Sequence, residues 1–120
     1  MPENRKINYI EMPTQDLKAT KKFFTEVFGF EMTDYGDGYS SFGTEAGIDG
    51  GFYQAEKGFK NEEGIPLIIF YASSLQDTKT QIKKNGGKIT RDVFSFPGGC
   101  RFHFQDPAEN VFAVWSEQDN

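Results

Sequence analysis

The segment GGCRFHFQDPAENVFAVW, from Gly98 to Trp115, decides how this chain is read. In its first half Arg101, His103 and Gln105 alternate with Cys100, Phe102 and Phe104, and in its second half Val111, Ala113 and Trp115 alternate with Phe112 and Val114. A period of two is that of a β-strand. Between the runs lies Asp106-Pro107-Ala108-Glu109-Asn110, where proline fixes φ and Asp and Asn favour turns. The segment is therefore a hairpin. With Phe104 opposite Phe112, His103 shares a face with Ala113 and Arg101 shares it with Trp115. One face of the hairpin is plain core. The other carries the single histidine of the chain beside an arginine, and that face is a candidate for function.

Working outward, two halves resemble each other. Ile7 to Met12 and Pro66 to Ala72 read as strands. Leu17 to Phe28 and Leu75 to about Asn85 have helical apolar spacing. Asp16 is a plausible N-cap of the first helix, and Ser74-Leu75-Gln76-Asp77 has the pattern of a capping box. Gly29 stops the first helix, and Gly86 and Gly87 the second. The helices align at an offset of 58 residues: Leu17 with Leu75, Thr20 with Thr78, Lys21 with Lys79, Gly29 with Gly87. Strand-like pieces follow each helix: Phe30 to Tyr35, Tyr39 to Phe42 and Gly50 to Gln54 in the first half, Lys88 to Phe96 and the hairpin in the second. Ala55 to Gly64 reads as a linker. Each half is strand, helix, three strands, which is evidence about architecture. The class is α+β: two βαβββ modules, at about 5–55 and 65–118, in a single domain. Their curved mixed sheets should surround a cavity, with the helices outside.

Composition narrows the function. A chain of 120 residues supports one domain with a real core, and its 13 phenylalanines can fill that core or line a pocket. A formal charge of −5 argues against nucleic acid, whose phosphates reward basic faces. No apolar run approaches the roughly 18 residues of a membrane span, and the N-terminus lacks the apolar stretch of a signal peptide. A cytoplasmic protein is the simplest expectation. With one cysteine, Cys100, there is no internal disulfide and no cysteine-based zinc cluster. Cys100 also faces away from His103 by alternation, so no Cys–His nucleophile is indicated. The glycines at 36, 38 and 43 supply turns, without the following helix that a dinucleotide fingerprint needs.

Asp16-Leu17, Phe23-Phe24, Phe28-Gly29-Phe30, Asn85-Gly86-Gly87 and Asp106-Pro107 with Asn110 together resemble the glyoxalase/bleomycin-resistance/dioxygenase, or vicinal oxygen chelate, superfamily. The likeness runs from Ile7 to Trp115. It is nearest to a small lactoylglutathione lyase-related group that carries a segment like Phe94-Ser95-Phe96-Pro97-Gly98-Gly99. The resemblance implies the paired-module fold and a homodimer. It also implies where metal-dependent members take their ligands, which here are Tyr9, Leu67, Ala113 and a position near Gly50 or Gly51. None of these suits zinc, nickel or iron, so no metal cofactor is expected, and glyoxalase I activity does not transfer by name.

On the family geometry the cavity face carries Tyr9 and Glu11 from the first strand, Leu67, Ile69 and Tyr71 from its repeat, and Arg101, His103, Ala113 and Trp115 from the hairpin. A carboxylate on an otherwise apolar strand needs compensation if buried, and Arg101 or His103 is expected to give it. Two readings follow. The cluster is a structural ion pair, or it is a working site with Glu11 as base, His103 as acid and Arg101 holding an anion. Tyr9, Tyr71 and Trp115 would then stack on a planar ligand, although aromatic residues also serve as core. The function is accordingly either lyase- or isomerase-like proton transfer next to a carbonyl, or sequestration of a small molecule of the bleomycin-resistance type. The expected partners are a small molecule and a second copy of the chain.

Overall fold

The 58-residue offset reappears as three-dimensional structure in a computed structural model, which describes residues 2–59 and 64–120. In chain order the elements are β1 (Tyr9–Thr14), α1 (Leu17–Phe28), β2 (Thr33–Asp34), β3 (Tyr39–Phe42), β4 (Asp49–Gln54), β5 (Ile69–Tyr71), α2 (Leu75–Lys84), β6 (Lys88–Phe96), β7 (Gly99–Gln105) and β8 (Val111–Ser116). Each half builds its own four-stranded sheet. The orders are β1-β4-β3-β2 and β5-β8-β7-β6, the same path taken twice. In each, the first strand pairs parallel with the last and the others pair antiparallel. The sheets are mixed, as expected, and do not close into a barrel. Of the expected linker from Ala55 to Gly64, residues 60–63 lie outside the described residues.

Local chemistry sets the helix ends. The Asp16 side chain accepts from the Ala19 N–H at 3.1 Å, and Ser74 Oγ accepts from the Asp77 N–H at 3.2 Å. These bonds satisfy first-turn donors that have no helical partner. At the far end of α1, Gly29 takes φ 72°. The second helix is shorter, so its left-handed residue is Gly86, at φ 90°, and not the aligned Gly87. Gly87 is glycine for another reason: a Cβ there would lie 3.0 Å from Phe23 Cε1 and 3.1 Å from Gln105 O. The offset even carries an ion pair. Lys21 bonds Asp34 at 2.9 Å and Lys79 bonds Asp92 at 2.6 Å, each tying a helix to the strand after it.

Three strand boundaries differ from the sequence reading. The piece expected from Phe30 to Tyr35 is a strand only at Thr33–Asp34. The Phe30 N–H instead closes α1 by donating to Phe24 O, and its ring is buried against Phe24 and Phe42. β1 lies two residues later than expected, leaving Ile7 86% exposed. It tolerates Pro13 because it is an edge strand of its sheet, where a missing N–H is least harmful. β5 is confined to Ile69–Tyr71, within the expected Pro66 to Ala72.

The phenylalanines answer the compositional question. Phe23, Phe24, Phe52, Phe102, Phe104 and Phe112 are all almost fully buried. Phe24 sits at the centre, with ring centroids 5.2 Å from Phe52 on β4 and 5.2 Å from Phe112 on β8. One helical side chain thus joins both sheets, and each such buried ring contributes roughly 1.5–3 kcal/mol relative to exposure. A polar clamp adds to this. Buried Asn110 donates to Pro13 O at 2.7 Å and accepts from the Phe59 N–H at 2.6 Å, linking the final turn to the first module.

Candidate functional site

Strand alternation turns one face of each sheet toward the helices and leaves some side chains of the other exposed. On the first sheet Met12, Thr14, Phe42 and Phe52 are buried, while Tyr9, Glu11 and Tyr53 are exposed. Tyr39 joins them from β3, directly across from Tyr53. Its phenol donates to Glu11 Oε2 at 3.2 Å and is hydrogen-bonded to the Tyr9 phenol. Tyr39 has one proton and gives it to the carboxylate, so Tyr9 must donate to Tyr39. The result is a directed chain from Tyr9 to Tyr39 to Glu11. Gly51 opposite Glu11 makes room for it, since a Cβ there would collide with the Tyr39 phenol. Loss of hydration holds the Tyr39 phenol above the ordinary tyrosine range. The Tyr9 hydrogen bond and the Glu11 carboxylate push it the same way, so Tyr39 stays a donor through neutral pH.

The second sheet carries the other candidates. The hairpin has the register read from the sequence, with Arg101 opposite Trp115, His103 opposite Ala113 and Phe104 opposite Phe112. His103 is 2% exposed and its ring lies 5.6 Å from that of Phe94. The Arg101 guanidinium lies between aromatic rings, 5.2 Å from the Phe94 centroid and 5.8 Å from that of Phe96. Tyr71 packs against Trp115 with centroids 5.1 Å apart, and its phenol donates to Glu117 at 2.6 Å. That bond lowers the Glu117 pKa and raises that of Tyr71.

The expected partnership of Glu11 with Arg101 or His103 needs correcting. Glu11 is exposed, so no burial has to be compensated, and its hydrogen-bond partner is Tyr39. The physical reason is topological: β1 is an edge strand of one sheet, whereas β7 is an interior strand of the other. The structure therefore brings Tyr9 together with Glu11, and Arg101 and Tyr71 together with Trp115. No hydrogen bond or ion pair joins the two groups. Tyr39 was missed because it reads only as a strand residue. Its signal was the Gly50-Gly51 pair inside β4, since glycine within a strand marks close approach of another group.

Between the modules lies a groove of about 390 Å³ in which Glu11 meets Ile10, Met12, Phe59, Ile65 and Ile68, a volume within the range of small-molecule sites. Among the described residues no three His, Cys, Asp or Glu side chains are grouped to hold a metal ion, and no helix is long and apolar enough to cross a membrane. At the ligand positions that the resemblance implies stand a phenol at Tyr9, an alkyl group at Leu67, a methyl at Ala113 and no side chain at Gly50 or Gly51. That donor set does not fit a divalent transition metal.

The profile of the Glyoxalase/Bleomycin resistance protein/Dioxygenase superfamily matches residues 6–114. No curated protein matches the sequence significantly. Among solved structures, a fosfomycin resistance protein from Listeria monocytogenes is similar with a TM-score of 0.76 and 19% identity, over 95% of this chain and 94% of that one. A glyoxalase/bleomycin resistance protein/dioxygenase family enzyme from Burkholderia phytofirmans PsJN gives 0.74 and 17%, over 91% and 96%. A lactoylglutathione lyase from Agrobacterium tumefaciens gives 0.69 and 19%, over 95% of each chain. Likeness at such identities concerns the fold alone. The profile match spans nearly the whole sequence, and the chain belongs to the Glyoxalase/Bleomycin resistance protein/Dioxygenase superfamily.

Proposed function

We propose that this protein binds a small carbonyl compound and moves a proton at the carbon beside the carbonyl, using a carboxylate and phenols in place of a metal. One observation carries the reading: the Tyr9–Tyr39–Glu11 chain stands on the exposed face of the first sheet. Glu11 is the base that takes the C–H proton, and the electron pair moves onto the carbonyl oxygen. As Glu11 takes the proton, the Tyr39 O–H turns from the carboxylate to stabilise that oxygen, and Glu11 returns the proton to the same carbon, so the step is balanced without a redox partner. Within one chain the donor role falls to the tyrosines, since they are the groups in the Glu11 hydrogen-bond chain.

A second reading is a binding protein that sequesters a small molecule without changing it. It is supported by the apolar groove beside Glu11. In either case a homodimer is part of the proposal, because both sheets leave large apolar side chains open to solvent. Native mass spectrometry of protein purified without chelator tests the metal-free core of both readings. The expected spectrum shows no stoichiometric divalent metal. About one equivalent of zinc, nickel or iron per chain, lost on mutating Tyr9 or Glu11, would overturn it.

A further inference from the structure

The Arg101 guanidinium on β7 is left chemically incomplete by the described residues around it. Its Nε is buried and has no acceptor, and among the described residues no carboxylate pairs with it. The Phe94 and Phe96 rings hold the cation in place, but an aromatic face offers no lone pair to an N–H donor. The side chain therefore arrives oriented, with hydrogen-bonding capacity unspent. It lines an open depression of about 420 Å³ whose other walls are Ile69, Phe96, Pro97, Gly98 and Trp115. Those walls are almost wholly apolar, and Ile69 is 43% exposed.

We propose that this depression binds a monoanionic carboxylate on a flat apolar body, with Arg101 as its counter-ion. The parallel N–H groups on one edge of a guanidinium match the two oxygens of a carboxylate. One cation faces the depression, so one negative charge balances it. A dianion would also meet the repulsion of a chain whose net charge is −5. Phe96 and Trp115, with ring centroids 6.3 Å apart, offer an edge and a face to the apolar body. The inference rests on reading the open face of this sheet as a small-molecule site and not on the chemistry assigned to Glu11.

Trp115 is the only tryptophan of the chain, so its emission reports on this depression directly. Titration with phenylacetate should give a saturable change, at a concentration about tenfold or more below that needed for neutral phenylacetamide. Arg101→Gln should abolish that preference with the circular dichroism spectrum unchanged. Should this variant fold poorly, Arg101→Lys keeps the charge without the paired N–H groups and should retain a smaller preference. Glu11→Gln should leave both titrations as they are, so failure of the proton-transfer reading remains distinguishable from failure of this one. Equal binding of acid and amide, a preference that survives Arg101→Gln, or no saturable change with either compound would overturn the proposal.

Discussion

Asp106 shows how much one side chain sets in this fold. One of its oxygens accepts from the Ala108 and Asn110 N–H groups at 3.0 and 2.9 Å, while the other has no partner among the described residues. The two bonds favour the ionised form, but burial outweighs them and pushes the carboxyl pKa up to about 7. An unfolded aspartate titrates near 3.9. Between about pH 4 and pH 7 the folded chain thus keeps a proton that the unfolded chain has released, so the stability from this group is complete below that window and is lost as pH rises through it. Asp106→Asn cannot ionise and keeps one acceptor. Urea unfolding should show the variant gaining stability relative to the parent as pH rises across the window, and a difference independent of pH would contradict this. Glu109, three residues on, adopts φ 69°, a left-handed conformation in which glycine is at ease.

At the scale of elements, the repeat is held by packing between helix and sheet. Gly87 marks a place where that packing has no slack. A methyl group there would meet Ile82, Phe23 and the Gln105 carbonyl at once, two of them buried side chains and one of them backbone. Gly87→Ala should destabilise by roughly 1–3 kcal/mol through overpacking, and thermal melting that matches the parent would contradict the packing described. The elements also show what the sequence could convey. The helices, their caps and the hairpin register were legible because each depends on contacts close in sequence: Asp16 with Ala19, Ser74 with Asp77, and the alternation on either side of Pro107. The short β2 was not, because Phe30 is claimed by distant rings, which no local period reveals. The Glu11 site was half legible. Its carboxylate stood out on an apolar strand, but its partner Tyr39 lies 28 residues away on a strand reached only through the sheet order.

For the whole molecule, the open faces pose the question of assembly. Tyr9 is 46% exposed and Tyr53 40% on one sheet, while Ile69 is 43% and Tyr71 52% exposed on the other. Apolar faces of this kind mark interaction surfaces, and a two-fold pairing would cover both on each copy. Light scattering at micromolar concentration should give twice the chain mass of 13.6 kDa. The monomer mass under those conditions would rule the pairing out. The central claim, however, is chemical: Glu11 moves a proton beside a carbonyl without a metal. The most direct measurement is proton NMR in deuterium oxide, with chelator present, of phenylpyruvate, an α-keto acid. The account predicts that the methylene protons exchange faster with the protein than with buffer, that chelator leaves the rate unchanged, and that Glu11→Gln returns it to background in a folded protein. Exchange no faster than buffer, or exchange that survives Glu11→Gln, would contradict it.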